Sequence, residues 1–433
     1  MIHRKNLMQH IVVPLSSLQA ADTARFGPKA ANLAALAHAG LQTPGGYCID
    51  AAAYREQIRA LGLESAARGV FSADDGPQAR RYALQMKLGL MEQPIVPQVL
   101  APLLDAWGSL RSESGAAPCV VRSSALLEDR HGSSFAGQFE SYLGLLEETE
   151  FLIAVRACWA ALWSTRALRY MATHDLDPAE TAMGLILQPL VAARVAGGGL
   201  SRTADGEMLI NAARGPGALI AQGEVVPDRY VLTAAGAIKE AGIGLKYRPI
   251  GCVHGAQASR QPMFAARCLE DEEVLQLGRM MKKAEGVVGV PVEIEWAADD
   301  TSFVLLQARP LVMQPATVPD EIWLHHPRLT GHPAGVGWGS GRACVINCEC
   351  ELARVGPGDV LVTTVAGPGL ADILPRVSGV VAELGGSTSH LASLARERGV
   401  PMVLGVFEAT RRIPDGAQVA VDGIAGIVRW MRA

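Results

Sequence analysis

The sequence carries almost no excess of charge of either sign. Its 39 Lys and Arg against 43 Asp and Glu leave a net charge of −4. No segment gathers the basic residues that a nucleic-acid backbone demands, so no nucleic-acid partner is expected. Charged residues make up only 19% and aromatics 5%, against 49% hydrophobic residues, the balance of a folded globular chain and not of a disordered one. No apolar run of about 18 or more residues occurs, so no membrane-spanning segment is expected either. The first residues, Met1 to Pro14, place basic side chains ahead of Ile11-Val12-Val13. That apolar stretch is short and no small-residue cleavage site follows, so a cytoplasmic location is expected. Paired C-x-x-C spacing is absent as well. The eight cysteines are dispersed and read as reduced thiols. One cluster, Cys344, Cys348 and Cys350, can be drawn together with His325, His326 or His332 as a metal site, but ordinary thiols fit its spacing better.

The 433 residues allow two to four domains. Apolar residues at three- and four-residue spacing predict helices over Ala30–Ala39 and Glu150–Met171. Val120–Ser123 reads as a short strand running into a polar, Gly-containing loop. Met208–Asn211 and two runs within Pro291–Pro310 read as further strands. A Pro- and His-containing stretch around Met313-Gln314-Pro315 reads as a linker. Beyond it, Val360–Val362, Gly379–Ala382 and Met402–Leu404 are β-type runs, with one helix from Ser389 to Arg398. Thr388 or Ser389 is placed to cap that helix, and Gly399 to end it in a left-handed conformation. The expected organisation is a nucleotide-binding part over 1–314, a linker over 315–335 and a small α/β domain over 336–433.

The chemistry concentrates in Gly385-Gly386-Ser387-Thr388-Ser389-His390. A neutral imidazole is a nucleophile able to form a covalent intermediate. At a helix start, a phosphate on His390 meets free N–H groups and the positive end of the helix dipole. The two glycines allow close backbone approach, and Thr388 and Ser389 offer hydroxyls. Taken alone, His390 also fits a capping or core histidine. Arg396 and Arg398 read as solvated helix residues.

A second group lies upstream. Val121-Arg122-Ser123-Ser124-Ala125, followed by Ser134-Phe135-Ala136-Gly137-Gln138, sets an arginine on a strand before a hydroxyl- and Gly-rich loop, suited to triphosphate. Glu293 and Glu295 alternate on one strand, and Gln307 and Arg309 on the next, with Asp299-Asp300-Thr301 as the turn. Oxygen ligands and a cation on one face suit Mg²⁺-triphosphate. A solvent-facing strand pair with a Glu–Arg bridge fits the same spacing.

These strings resemble the PEP-utilising dikinase family, which includes phosphoenolpyruvate synthase, pyruvate phosphate dikinase and rifampicin phosphotransferase. Gly385–Arg396 with Gly399-Val400-Pro401-Met402-Val403-Leu404-Gly405 is similar to its phosphohistidine domain, and Val121–Leu143 to its phosphate loop. The resemblance implies an α/β (α+β) chain, an ATP-grasp-type domain followed by a small swivelling phosphohistidine domain. It implies ATP and Mg²⁺ as cofactors, with Glu295 and Gln307 as metal ligands and Glu293 as a nearby acid. Arg122 and Arg309 become phosphate contacts, and Gly137 and Gln138 part of the loop. Gln188 falls in the segment that meets adenine, though a strand-edge glutamine fits too. Lys29, in Gly27-Pro28-Lys29-Ala30-Ala31-Asn32, takes a phosphate role, although Phe26-Gly27-Pro28 departs from the usual Gly-Gly. Ala218 stands where an acidic residue is common. The resemblance runs from about Ala21 to Val428, and nothing matches the family's PEP-binding barrel or antibiotic-binding insert.

The expected function is a dikinase-type phosphotransferase. ATP pyrophosphorylates His390, phosphate is lost, and the phosphoryl group passes to a small-molecule acceptor. Two alternatives stand beside it: a phosphocarrier subunit that donates to a separate acceptor-binding protein, and an inactive ATP-binding sensor. Trp323, His325, His326 and Arg328 can line an acceptor site or pack on the surface.

Overall fold

The computed structural model describes residues 11–72, 76–128, 135, 138–139, 141–244, 266–312 and 321–431. The chain forms two compact units, Met1–Val191 with Val304–Arg309, and Ala192–Phe303 with Pro310–Ala433.

The first unit is built on strands β1 (Val12–Pro14), β2 (Tyr47–Ile49), β3 (Cys119–Ala125), β4 (Ser141–Leu145) and β5 (Met183–Pro189), in the order β1-β2-β5-β3-β4. All neighbours are antiparallel. In β3 and β5 nearly every side chain is buried, as expected of inner strands covered on both faces; β5 reads as a largely apolar run, while β3 also buries Ser123 and Ser124. Helices Thr23–His38, Ala51–Ala60 and Pro97–Glu113 pack around the sheet.

The helix expected over Glu150–Met171 is two helices, Glu148–Ala161 and Thr165–Thr173. Ser164 makes the break: its hydroxyl accepts from Ala167 N at 3.2 Å and starts a new helix. By length and composition the stretch Glu148–Thr173 could cross a membrane. Phe151, Ala154, Val155 and Trp159 are nevertheless buried in the unit's own core, and Trp107 stacks on Phe151 at 4.9 Å.

The second unit holds two sheets. In one, β10 (Val292–Ala298), β6 (Val195–Leu200), β7 (Met208–Arg214), β8 (Asp228–Leu232) and β9 (Ile238–Gly242) run antiparallel in that order. Helix Asp271–Val288 packs on it. The turn after β10 is held by Asp299, whose carboxylate accepts from Thr301 N and Ser302 N at 2.8 Å. It leads to β11 (Phe303–Pro310), of which residues 304–309 belong to the first unit.

The other sheet has eight strands. They are β12 (Arg328–Thr330), β13 (His332–Pro333), β14 (Trp338–Ile346), β15 (Val360–Thr363), β16 (Gly379–Ala382), β17 (Met402–Leu404), β18 (Gln418–Asp422) and β19 (Ile427–Trp430), in the order β12-β19-β18-β14-β15-β16-β17-β13. The inner run β14-β15-β16-β17 is parallel. Val360, Val362, Val381, Val403, Val419 and Val421 form its core. The region expected as a linker is therefore partly strand, since residues 328–333 pair with β19 and β17. Met313, Gln314 and Pro315 lie outside the described residues. Helix His390–Glu397 follows β16, with Ser389 as its N-cap and Gly399 at φ +66° just beyond its end, as the sequence predicts.

Candidate functional site

In the first unit, Lys29 owes its position to a break in the helix that carries it. Gly27 has φ +79° and ψ 160° inside Thr23–His38, so Pro28 starts a fresh helical segment, where its missing N–H costs nothing. A side chain on Gly27 would put Cβ 2.5 Å from Ser124 O. The unusual Phe26-Gly27-Pro28 string is thus a tight junction against β3. The Lys29 ammonium donates to Ser123 O at 3.0 Å and lies 3.4 Å from Glu128 Oε2.

Sequence reasoning missed Glu128. Its carboxyl is buried, and burial pushes its pKa up, while Lys29, the Ala125 backbone and Arg309 pull the other way. Nothing in the string Leu127-Glu128 signals this, because the partner lies about a hundred residues away. Arg122, on β3, donates to Leu306 O at 2.5 Å and to Gln307 Oε1 at 3.0 Å. Arg309 is buried. Gln188, on β5, is also buried and donates to Gly45 O at 2.9 Å, tying the Gly45-Gly46 turn to that strand. Gln138 is buried too, and its carbonyl accepts from Arg166 at 3.3 Å. Gly137 lies outside the described residues.

In the second unit, His390 is the first residue of its helix and partly exposed. Ser389 accepts from Ala392 N at 3.3 Å, which makes it the cap. The Thr388 hydroxyl is 3.4 Å from Asn211 Oδ1 on β7, and Asn211 Nδ2 is 3.4 Å from Asp228 O, so the amide has its oxygen toward Thr388. The loop meets the β6-β7-β8 sheet so closely that Gly198 and Gly386 leave no room for a side chain. A Cβ on Gly198 would lie 2.6 Å from Thr388 Cβ, and one on Gly386 2.6 Å from Pro227 Cγ.

Arg396 corrects the sequence reading. It is not solvated but buried. Its guanidinium donates to Glu293 Oε2 at 2.9 Å, Ser387 O at 2.5 Å and Ala334 O at 3.0 Å. Ser393 donates to the Glu293 carboxylate at 2.8 Å. Glu293, expected beside the nucleotide, thus stands against the His390 helix, while Glu295 on the same strand is only half-buried. Arg398 is half-buried and 3.3 Å from Ala371 O. Trp323 is buried against Trp338 and His326, which is packing. Cys344 is buried, Cys348 half-buried and Cys350 exposed, and Cys348 Sγ caps a short 3-10 turn. Among the described residues no group of three or more His, Cys, Asp or Glu is arranged to hold a metal.

Comparison with known proteins connects these parts. The family described as "Pyruvate phosphate dikinase, AMP/ATP-binding domain" matches residues 23–323, and "PEP-utilising enzyme, mobile domain" matches residues 355–426. The chain is similar to the probable phosphoenolpyruvate synthase of Pyrococcus abyssi, 30% identical over 95% of this chain and 57% of the relative. It is 31% identical to that of Pyrococcus horikoshii over 94% of this chain and 56% of the relative. It is also 30% identical to phosphoenolpyruvate synthase of Escherichia coli, over 95% of this chain and 56% of the relative. The chain therefore spans a little over half the length of these relatives. With an AMP/ATP-binding domain match followed by a mobile-domain match, the chain belongs to the PEP-utilising dikinase family.

Proposed function

We propose that the chain is a phosphotransferase in which His390 carries phosphate from ATP to a small-molecule acceptor. The observation that carries this reading is the setting of His390 at a capped helix start, in a loop seated on the sheet that bears Glu293 and Glu295. In the first step a ring nitrogen of His390 attacks the β-phosphorus of ATP. The N–P bond forms, the bond from that phosphorus to the α-phosphate oxygen breaks, and AMP leaves. Water then cleaves the terminal phosphate as inorganic phosphate. The remaining phosphoryl group passes to an acceptor oxygen, which gives up its proton, and His390 returns free.

The first part of the chain is read as an ATP-grasp-type fold and the last part as a swivelling domain, because one nucleophile must serve both donor and acceptor. Lys29, at a helix start, and Arg122 and Arg309 are assigned to the phosphates, with Gly137 and Gln138 as the covering loop and Gln188 beside the adenine. Thr388 and Ser389 hold the phosphate on His390. Glu295 and Gln307 fit Mg²⁺, since both offer hard oxygen donors and Gln307 Oε1 keeps a second lone pair beyond its bond from Arg122. The metal supplies charge neutralisation at the triphosphate.

The name of the relatives makes phosphoenolpyruvate the first product to look for, followed by a wider set of phosphorylated metabolites. The test is AMP formation from ATP by parent and His390→Ala protein across candidate acceptors. Acceptor-stimulated AMP release that vanishes in the variant is expected. Equal rates in both proteins sink the reading.

A further inference from the structure

The buried cluster under the His390 helix is not used by the mechanism above, yet it joins segments from the two family domains. Glu293 lies within the ATP-binding match, 23–323, and Ser393 and Arg396 within the mobile-domain match, 355–426. All three are buried. Ser393 and Arg396 are three residues apart and so share one helix face. Both converge on one carboxylate: Ser393 Oγ lies 2.8 and 2.9 Å from its two oxygens, and Arg396 Nη2 lies 2.9 Å from one.

We propose that Glu293 is the seat on which the His390 helix docks, and that Ser393 and Arg396 are positioning residues for phosphate transfer from ATP to His390. This rests on the phosphocarrier reading given above.

Three features favour a seat over a permanent brace. First, Arg396 keeps two partners other than Glu293, Ser387 O at 2.5 Å within the mobile-domain match and Ala334 O at 3.0 Å outside the ATP-binding match. It is held in place whether or not Glu293 is present, and only the Glu293 contact need break. Second, a buried ion pair adds little net stability, because desolvation offsets most of the attraction, but it tolerates few geometries. On separation, the carboxylate and the hydroxyl regain water, so docking can reverse where an apolar contact of similar area would resist. Third, Arg396 also grips Ser387, at the start of the Ser-Thr-Ser-His run, so its position is passed to His390 through only a few bonds. Residues two apart on a strand share a face, so the seat presents the helix to the face of β10 that carries Glu295.

Rapid-quench labelling with ATP radioactive at the β-phosphate tests the proposal, comparing the parent with Glu293→Gln, Glu293→Asp, Ser393→Ala and the Glu293→Gln/Ser393→Ala pair. Glu293→Gln keeps the shape and removes the charge. It is expected to slow labelling of His390 at saturating ATP at least tenfold, while the ATP concentration giving half the maximal rate moves less than twofold. Glu293→Asp should recover part of the rate. Ser393→Ala should lose less, and the double variant should be no slower than Glu293→Gln alone, since both act through one contact. Labelling of Glu293→Gln at the parent rate overturns the proposal. So does a loss confined to ATP affinity, which would assign Glu293 to the nucleotide.

Amide hydrogen exchange of residues 385–397 in the same proteins tests the seat without any chemistry. Faster exchange in Glu293→Gln is expected, and unchanged exchange overturns the seat even if labelling falls. Failure of the parent itself to label His390 would count against the phosphocarrier reading, and the exchange result would still decide the docking.

Discussion

The first-unit residues proposed for the nucleotide and the His390 loop of the second unit hold charge in opposite ways. In the first unit, full charges are fixed by internal partners: Lys29 against Glu128 and Ser123 O, and Arg122 against Leu306 O and Gln307. The loop that leads into His390 carries the hydroxyls of Ser387, Thr388 and Ser389, and the charged pair Glu293–Arg396 lies beneath the helix. Fixed cations would suit the proposed triphosphate site, which would receive the same ligand at every turnover. Hydroxyls and a helix end hold a phosphate without trapping it, which suits a group that must be handed on.

The largest effect expected in this contrast is at the carrier. His390→Ala should lower phosphoryl transfer by at least ~10³-fold, measured as AMP release, with ATP binding intact by calorimetry. On the fixed-charge side, Lys29→Ala should cost about 10²-fold in labelling rate. Arg122→Lys should also lose activity, because an ammonium cannot reproduce the forked contacts to Leu306 O and Gln307. Equal behaviour of Arg122→Lys and parent would remove that contrast.

A smaller effect tests the close approach of loop and sheet. Gly386→Ala puts a Cβ 2.6 Å from Pro227 Cγ and should slow His390 labelling about tenfold, with melting temperature little changed. Gly27→Ala is the counterpart in the first unit. Strain at φ +79° and the clash with Ser124 O should lower stability by about 2–3 kcal/mol in denaturant titration.

The smallest effect concerns pH. Burial, and then the Arg229 cation, push the His332 imidazole down from 6.5 to about 4. The folded state thus resists protonation more than the unfolded chain does. Stability is full above about pH 6.5 and falls as pH drops toward about 4. The loss should be about 1–2 kcal/mol, since the residue as a whole is half-buried. Urea titrations at a series of pH values should show the slope in the parent and a flatter one in His332→Gln.

Legibility in the sequence followed the distance between partners. The His390 helix, its Ser389 cap and its Gly399 stop were readable because each is set by residues next to it. Lys29 stands in a string that resembles the family's motif, while Glu128 beside it gives no signal, since a partner about a hundred residues away leaves no trace in either string. Arg396 was misread because helical periodicity reports an exposed face only when nothing packs there. Here β10 supplies Glu293 to cover it. The break at Ser164 was missed because its flanks continue the apolar spacing, and a single capping hydroxyl decided the matter. The strands at 328–333 were read as linker because Pro333 and His332 look like loop residues, although an edge strand accepts a proline at its end.

In the proposed reaction His390 is the group that takes phosphate from ATP. Incubation with ATP radioactive at the β-phosphate, followed by proteolysis and mass spectrometry, tests it directly. An acid-labile, base-stable label is expected on the peptide containing His390, absent from His390→Ala protein. An equal label on the variant, or a label confined to another residue, would contradict it.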